Sequence, residues 1–390
     1  MNDRTPLAPR TPAVQSRLPS VGTTIFTVMS ALATEHDAVN LGQGFPDFDC
    51  DPALVDAVAA AMRGGLNQYP PMAGIPLLRE RIAAKVEALY GRRYDPVTEV
   101  TVTAGATQAI INAVLAFVGP GDEAIVLEPS YDSYAPNIEL AGGTVVRVPL
   151  APGTFAPDFE RIAAALSPRT RLILVNSPHN PSGTLWSAAE LSHLEELLRD
   201  TRVVVISDEV YEHMVYGGEH QSVARFPELA ARSVIVSSFG KTYHVTGWKV
   251  GYAVAPAALM AEFRKVHQFN VFTVNTPMQH GLAAYMASGT HHLALPDFYR
   301  AKRDLFAAGL ARTRLKALPC QGTFFQCVDY SAVSDLPEAE FCRWLTVEIG
   351  VAAIPLSAFY ADGFDQHIAR FCFAKKDETL VSATERLARL

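Results

Sequence analysis

The sequence predicts an α/β fold in which a mostly parallel β-sheet lies between helices and is followed by a smaller α+β domain. Short runs rich in β-branched residues alternate with segments of helical periodicity, as in strand–helix–strand units. Three of these runs begin at residues 172, 203 and 234, each 31 residues after the one before. That interval is about one strand plus its crossover helix. After residue 256 this alternation stops, and long helical segments lead to a final α+β segment.

Length and composition set the scale of the domains. The chain has 390 residues, of which 49% are hydrophobic, enough for a large buried core and about two or three domains. We expect residues 1–48 to form an N-terminal arm and part of the small domain. Residues 49–290 should form the large domain and residues 291–390 the small C-terminal domain.

Charge and cysteine usage argue against several classes of protein. The net charge is −7 and no run is rich in Lys or Arg, which argues against a nucleic-acid partner. The first twenty residues are polar, and no stretch approaches membrane-spanning length, so we expect a cytoplasmic protein with no membrane partner. Five cysteines without a Cys-x-x-Cys pair argue against a disulfide framework and a metal site.

The first part of the chain is mainly helical. The polar, proline-rich start predicts a loose arm, and turn residues over 39–49 predict a crossing segment rather than a helix or strand. Its Gly42-Gln43-Gly44 lacks the third glycine of a dinucleotide-binding fingerprint. Apolar residues at helical spacing predict helices over residues 23–34, 54–62 and 75–89.

The middle of the chain carries the sheet, and the end carries the smaller domain. Short β-branched runs predict strands over residues 100–103, 124–127, 144–148, 172–175, 203–206 and 234–236. Helical periodicity predicts helices over residues 108–118, 188–198, 257–286 and 296–315. In the smaller domain we expect strands at 324–328 and 368–373 and helices at 338–348 and 379–387.

A candidate phosphate site follows the first strand of the sheet. Gly105, Ala106 and Thr107 lead directly into a helix, where free backbone N–H groups and the positive end of the helix dipole bind phosphate. An ordinary strand-to-helix turn explains this stretch equally well.

Polar residues follow three consecutive strands at the ends where parallel sheets bind ligands. Asn180 follows the strand over 172–175, Asp208 and Tyr211 follow the next, and Lys241 follows the third. If these strands are neighbours, the four side chains converge on one crevice. Lys241 should lie in a loop after its strand, and the loss of its proton near neutral pH would let it form a Schiff base with an aldehyde.

Pyridoxal phosphate needs this set of groups. It requires a lysine for its aldehyde, a carboxylate for its ring nitrogen, donors for its ring oxygen and an anion site for its phosphate. Asp208 suits the ring nitrogen, and Tyr211 and Asn180 suit the ring oxygen. Ser238 and Lys249 could share the phosphate with the helix start at Gly105 to Thr107. Taken singly, Asp208 could be only a helix N-cap and Asn180 only a turn former.

Arg370 lies within an apolar run of the smaller domain. A buried guanidinium requires a carboxylate, and a two-pronged grip on the α-carboxylate of a substrate would satisfy it. The alternative is an ion pair within the chain.

Over essentially its whole length the chain resembles the fold-type I pyridoxal-phosphate-dependent aminotransferases of class I/II. Within that family it is most similar to the kynurenine aminotransferase and glutamine transaminase branch, especially to its bacterial methionine aminotransferases. The order and spacing of four motifs carry the resemblance: Asn180-Pro181-Ser182-Gly183, Asp208-Glu209-Val210-Tyr211, Ser237-Ser238-Phe239-Gly240-Lys241 and Arg370-Phe371. The branch is indicated by the runs at residues 22–27, 43–48, 130–136 and 351–357.

The resemblance implies a large pyridoxal-phosphate-binding domain with a seven-stranded sheet and a homodimer with shared active sites. Lys241 would be the Schiff-base lysine and proton shuttle, with Asp208 and Tyr211 as its catalytic partners. It also implies further contacts to cofactor and substrate: Tyr131 stacked on the ring, backbone groups of Ala106 and Thr107 at the phosphate, Tyr69 reaching that phosphate from the partner subunit, and Arg370 with the backbone near Gly44 at the substrate carboxylate.

We therefore expect an aminotransferase with ping-pong kinetics that takes its amino group from methionine, with aromatic amino acids and glutamine as further donors. Candidate side-chain contacts are Phe26, Tyr69 and Phe272, all aromatic. Two alternatives use the same cofactor, namely a kynurenine- or glutamine-type aminotransferase and a carbon–sulfur β-lyase. A regulatory module built on this fold is the non-enzymatic alternative.

Overall fold

The computed structural model describes residues 14–390, so the first thirteen residues of the predicted arm lie outside the described residues. The helices of the first half are α1 (Ile25–Glu35), α2 (Pro52–Arg63), α3 (Pro76–Tyr90), α4 (Ala106–Phe117), α5 (Tyr134–Ala141), α6 (Phe159–Ala165) and α7 (Ala188–Leu198). The helices of the second half are α8 (Pro227–Ala230), α9 (Phe239–Thr242), α10 (Ala257–Asn270), α11 (Thr276–Ser288), α12 (Leu295–Leu310), α13 (Glu338–Trp344) and α14 (Asp377–Leu387).

One large sheet forms the centre of the molecule. A short strand, β1 (Val39–Asn40), precedes it, and its own strands are β2 (Val100–Thr103), β3 (Glu123–Glu128), β4 (Thr144–Pro149), β5 (Thr170–Asn176), β6 (Val204–Asp208), β7 (Ser233–Ser238) and β8 (Gly251–Val254). The seven strands lie in the order β2-β8-β7-β6-β5-β3-β4, and only β8 runs against its neighbours. The predicted α/β fold with a mostly parallel, seven-stranded sheet is confirmed.

The strands that carry the polar motifs are neighbours, as predicted. β5 pairs in parallel with β6, and β6 pairs in parallel with β7. In this register Asn176 lies opposite Asp208, so the ends of the two strands are level. Residues after all three strands therefore emerge at one edge of the sheet.

A second, smaller sheet lies nearer the C-terminus. Its strands are β9 (Lys316–Ala317), β10 (Phe325–Asp329), β12 (Ile354–Pro355) and β13 (Ile368–Cys372), with antiparallel pairing throughout, while β11 (Val351–Ala352) pairs in parallel with β1. The segment predicted only as a turn-rich crossing thus contributes a strand. Leu41 continues the pairing with β11, because its N–H donates to the Ala352 carbonyl at 3.0 Å, and its own carbonyl accepts a hydrogen bond from the Cys372 N–H of β13 at 2.7 Å.

Three further expected elements differ from the structure. The predicted helix over residues 257–286 is wrong as a single element, because it breaks between α10 and α11 where Phe272 has a positive φ of 67° and Asn275 caps α11. Lys241 lies in the one-turn helix α9 rather than in a loop. The helix predicted over 338–348 ends at Trp344 and continues as a π-helical turn, Leu345–Ile349. Within residues 14–390 no helix is long and apolar enough to cross a bilayer.

Candidate active site

A cavity of about 260 Å³ opens at the edge of the large sheet where β5, β6 and β7 end. Residues of the small sheet and of the crossing segment close its other side. All the predicted site residues except Tyr69 and Phe272 line it: Phe26, Gly44, Gly105, Ala106, Thr107, Tyr131, Asn180, Asp208, Tyr211, Ser238, Lys241, Lys249 and Arg370.

Lys241 projects its amine into this cavity. Its Nζ donates a hydrogen bond to the carbonyl oxygen of Gly44 at 2.9 Å. The same nitrogen lies 5.5 Å from the centre of the Tyr211 ring. Burial lowers the pKa of Lys241 to about 8, and the positive charges of Arg370 and Lys249 act in the same direction. Near neutral pH a sizeable fraction of this amine is therefore an unprotonated nucleophile.

Asp208 is the carboxylate of the site and is 5% exposed. Its Oδ2 accepts a hydrogen bond from the Tyr134 hydroxyl at 2.6 Å, and its Oδ1 accepts one from the Val210 N–H at 3.3 Å. Burial raises the pKa of Asp208 to about 6 despite these two donors. A positive group placed against it would lower that pKa again, so the site favours a cationic partner for this carboxylate.

A chain of hydrogen bonds joins Asp208 to Arg370. The Asn176 side-chain amide donates to the Asp208 carbonyl at 2.9 Å, and its Oδ1 accepts from the Asn180 N–H at 2.8 Å. The Asn180 Oδ1 in turn accepts from Nη1 of Arg370 at 2.8 Å. Asn180 is thereby fixed between the end of β5 and the small sheet.

Arg370 is 1% exposed and forms no ion pair with any residue in the described part of the chain. Its Nη2 donates to the Gly42 carbonyl at 3.1 Å, whereas its buried Nε has no hydrogen-bond partner. The rings of Phe26, Phe325 and Phe359 surround the guanidinium, with centres 5.3, 3.9 and 4.9 Å from its carbon. The alternative of an internal ion pair therefore does not hold among residues 14–390. An unpaired buried cation beside a cavity favours an anionic ligand.

The start of α4 forms an anion site. Gly105 is its N-cap, with φ of 80°, and no side chain caps the helix, so its first N–H groups remain available. A Cβ atom at Gly105 would lie in ordinary contact with Nζ of Lys249, at 3.4 Å, so it is the positive φ that disfavours a larger residue there. Ser238 and Thr107 line the same end of the cavity.

Tyr69 and Phe272 lie outside this cavity. Tyr69 is 82% exposed, and its ring contacts that of Phe272 edge-on, with centres 5.3 Å apart. Within one chain neither side chain reaches the site.

Sequence reasoning missed several residues that build the site. Tyr134 holds Asp208, Asn176 holds Asn180, and Phe325 stacks on Arg370. Tyr134 follows the Ser130-Tyr131 run by only a few residues, and Asn176 is the last residue of β5, so their positions gave a usable signal. Phe325 gave none, because an aromatic residue in a short apolar strand is ordinary core.

Comparisons with known proteins agree with this geometry. The profile of the family "Aminotransferase class I and II" matches residues 36–387. The chain belongs to the class I and II aminotransferase family.

Relatives of this aminotransferase are similar over nearly their whole length. Methionine aminotransferase of Escherichia coli is 56% identical over 96% of this chain and 98% of its own. A probable N-succinyldiaminopimelate aminotransferase of Mycobacterium tuberculosis is 44% identical, with the same coverage. The crystal structure of E. coli YbdL, reported to identify a methionine aminotransferase function, matches with a TM-score of 0.94, 54% identity and coverage of 99% of this chain and 100% of that one.

The cofactor of this family is pyridoxal 5′-phosphate, and the residues present suit it. Lys241 offers an amine of lowered pKa for the aldehyde, and Asp208 offers a buried carboxylate for the ring nitrogen. The uncapped start of α4, with Ser238 and Lys249, offers an anion site for the phosphate. Tyr131 and Asn180 line the space between these groups.

Proposed function

We propose that this aminotransferase moves the amino group of methionine to a 2-oxo acid. The observation that carries the proposal is Arg370, the one arginine of the described residues that lines the cavity and one without an ion pair among them, facing walls that include Phe26, Phe45 and Phe325. One guanidinium can hold one α-carboxylate, and the aromatic walls suit an uncharged, polarizable side chain. The 56% identity to methionine aminotransferase of E. coli supports the same donor.

When bound, pyridoxal phosphate supplies an aldehyde that bonds to amines and a ring that takes up the electrons left when the α-proton departs. Asp208 would hold the ring nitrogen in its protonated form, since a buried carboxylate stabilises an adjacent positive charge. Tyr211 and Asn180 would donate to the ring oxygen, and Tyr131 would hold the ring in place.

Lys241 moves the proton. Its Nζ takes the proton from Cα of the amino acid, and the resulting ammonium is the acid that returns it, so one group acts as general base and general acid. A pKa of about 8 suits this task, because both protonation states are accessible near neutral pH. Arg370 and the backbone near Gly44 hold the α-carboxylate and so present the Cα proton to Lys241.

The cations of the cavity argue against an acidic side chain on the donor. Among residues 14–390, Lys241, Lys249 and Arg370 are the Lys and Arg residues that line it, and they are assigned to the proton transfer, the cofactor phosphate and the α-carboxylate. A second carboxylate would meet no further cation from that part of the chain. A pocket of this kind separates substrates differing by one methylene by only about 1–3 kcal/mol, so we expect a broad range of apolar and aromatic donors.

We propose further that the enzyme is a homodimer with shared active sites. The Tyr69 side chain is almost fully exposed beside Phe272, and its hydroxyl does not reach the cavity of its own chain. In a symmetric dimer it would reach the phosphate end of the partner's site, and Phe272 would contact the substrate there.

The test is a half-reaction with the purified, cofactor-loaded enzyme. Methionine added without any 2-oxo acid should abolish the visible absorption band of the bound cofactor, and a 2-oxo acid should restore it. Kynurenine, glutamine and aspartate serve as comparison donors, and aspartate should act most weakly. A band that ignores methionine but responds to kynurenine would contradict the donor while leaving the family intact.

Steady-state kinetics give a second measurement. The first product leaves before the second substrate binds, because the enzyme keeps the amino group in between. Double-reciprocal plots of rate against methionine concentration, at several 2-oxo acid concentrations, should therefore be parallel. Intersecting lines would rule out the ping-pong scheme. Formation of pyruvate and ammonia from cystathionine without any 2-oxo acid would instead indicate the β-lyase alternative.

A further inference from the structure

Residues 42–45, the substrate-side segment, form one wall of the cavity. Gly44 packs so closely on Phe325 that a Cβ atom would lie 2.9 Å from Cζ of that ring. The segment connects β1 to α2 and has no regular secondary structure of its own. Its position therefore depends on the groups that bind its backbone.

Three cations bind the carbonyl oxygens of this segment. Arg370 donates to Gly42 at 3.1 Å and Lys241 donates to Gly44 at 2.9 Å. Lys375 donates to Phe45 at 2.8 Å, and its Nζ is also 3.5 Å from the carbonyl oxygen of Gln43.

Two of these cations have another task. Lys241 must use its nitrogen in the chemistry, so its hydrogen bond to Gly44 cannot persist through turnover. Arg370 must donate hydrogen bonds from its guanidinium to the substrate carboxylate. Lys375 alone among the three does not line the cavity.

Lys375 is an unusual lysine for a merely structural role. It is 3% exposed, and no carboxylate in residues 14–390 forms an ion pair with it. Its Nζ lies 5.1 Å from the centre of the Phe45 ring, so backbone carbonyls and an aromatic face replace water around the charge. Burying an ammonium group costs free energy unless polar groups replace its hydration, and the contacts of Lys375 with the segment do so.

The outer side of the segment is open. A groove of about 570 Å³ lies there, and Gln43 and Phe45 line both the groove and the cavity. Without Lys375 the segment would have room to move outward, away from Phe325 and Arg370.

We propose that Lys375 is a positioning residue for substrate binding. It holds the Phe45 carbonyl so that the backbone at Gly44 stays against the substrate carboxylate while Lys241 is engaged elsewhere. The inference rests on the proposed function in one respect, namely that Arg370 and the segment bind the carboxylate.

The test compares three variants in the cofactor-loaded enzyme. Lys375→Met removes the charge and keeps the stem, Lys375→Arg keeps the charge, and Lys376→Met is the matched control, because the Lys376 side chain is exposed. Lys375→Met should raise KM for methionine about tenfold, the effect of losing one hydrogen bond to a charged group, with kcat little changed. Lys375→Arg should recover most of the loss, and Lys376→Met should match the wild type.

Hydrogen exchange gives a readout that does not depend on turnover. The amide groups of Leu41, Gly42 and Gln43 bond to Ala352 and to the Asn40 side chain, so their exchange rates report the order of the segment. Lys375→Met should accelerate them both with and without the cofactor, whereas Lys376→Met should not. If Lys375→Met does not fold, Lys375→Gln replaces it with the same expected directions.

The outcomes separate the two proposals. One outcome is faster exchange in Lys375→Met together with a wild-type enzyme that does not react with methionine. That outcome would overturn methionine as the donor and keep the anchoring role of Lys375. Unchanged exchange would overturn the role of Lys375, and so would faster exchange with unchanged KM. A parallel loss of kcat and thermal stability without rescue by arginine would reduce Lys375 to a core residue and overturn the proposal.

Discussion

At the scale of single residues, Asp208 is held in a charged form that the fold itself disfavours. Its pKa is raised by burial from 3.8 to about 6 in the chain without cofactor. The folded state thus binds a proton more tightly than the unfolded state, and the resulting cost grows as the pH rises from about 4 to about 6. Above that range the full cost is present.

We therefore expect Asp208→Asn to stabilise the cofactor-free protein. At pH 7 the gain should approach about 3 kcal/mol, the equivalent of about two pKa units, and at pH 4 it should vanish. Denaturant unfolding at the two pH values measures it, with Asp56→Asn, a change at an exposed position of α2, as control. Equal free energies of unfolding for the wild type and Asp208→Asn at pH 7 would show that the charged Asp208 does not destabilise the folded state.

Lys241→Ala should abolish turnover and leave the fold intact. The side chain makes one hydrogen bond, to Gly44, so its loss costs little stability, whereas no other amine in the cavity has the same position. Turnover of methionine and the thermal unfolding curve are measured together, with Lys265→Ala at an exposed helical position as control. Retained turnover would eliminate the proposed role of this lysine.

Much of the site could be predicted at this scale, because its chemistry needs unusual residue types at strand ends. Lys241, Asp208 and Asn180 stand out in sequence as a set, since each has an ordinary structural explanation alone but all three follow consecutive buried strands. Tyr134 lies beside Tyr131 and so offered a positional signal, but its hydrogen bond to Asp208 depends on the fold. Phe325 offered no signal, because its residue type is common in cores.

At the scale of elements, a buried carboxylate ties the strand ends to a helix. Glu212 accepts hydrogen bonds from Lys85 of α3 at 2.7 Å, from Ser237 of β7 at 2.6 Å and from Tyr252 of β8 at 3.0 Å. Glu212 follows Tyr211 directly, and Ser237 precedes Ser238. The position of two site residues therefore depends on this one buried group.

Glu212→Gln should destabilise the protein by about 3–5 kcal/mol, because it leaves the Lys85 ammonium buried without its counter-charge. Adding Lys85→Met should recover part of the loss. Denaturant unfolding measures both, and Glu228→Gln, which breaks the exposed pair with Arg199, should leave the free energy of unfolding almost unchanged, because solvent screens that pair. If the buried and exposed changes cost the same, the pair does not anchor the strand ends.

The elements themselves were predictable where periodicity was strong and failed where a local backbone feature intervened. The helix α7 over Ala188–Leu198 was predicted to the residue, since its capping box and apolar spacing agree. The break between α10 and α11 was missed, because it depends on the positive φ of Phe272. A bulky aromatic residue rarely adopts a positive φ, so its residue type gave no indication of the break. The pairing of β1 with β11 was missed because each has only two residues.

At the scale of the whole molecule, the shared active site can be tested by mixing two inactive variants. Lys241→Ala and Tyr69→Ala are unfolded together, refolded as a mixture and assayed. If Tyr69 serves the partner's site, half the dimers are hybrids with one intact site, and roughly a quarter of wild-type activity should return. If each Tyr69 serves its own chain, the mixture should gain nothing over the Tyr69→Ala protein alone.

The homodimer, the domain boundaries after residues 48 and 290 and the cytoplasmic location stay predictions. The two sheets fit a division into a large and a small domain, but the segment from Val39 to Leu41 pairs with the small sheet while α2 packs against α11. The first boundary thus lies in a stretch that serves both parts. Sequence patterns alone cannot locate such a boundary, because composition does not change there.

The hydrogen-bond chain from Asp208 through Asn176 and Asn180 to Arg370 has a consequence for how such an enzyme changes over generations. The chain ends at the backbone carbonyl of Asp208 and includes no side chain of the aromatic walls. If the proposed function holds, substitutions at Phe45 can redirect the enzyme to new amino acids while its reaction is inherited unchanged.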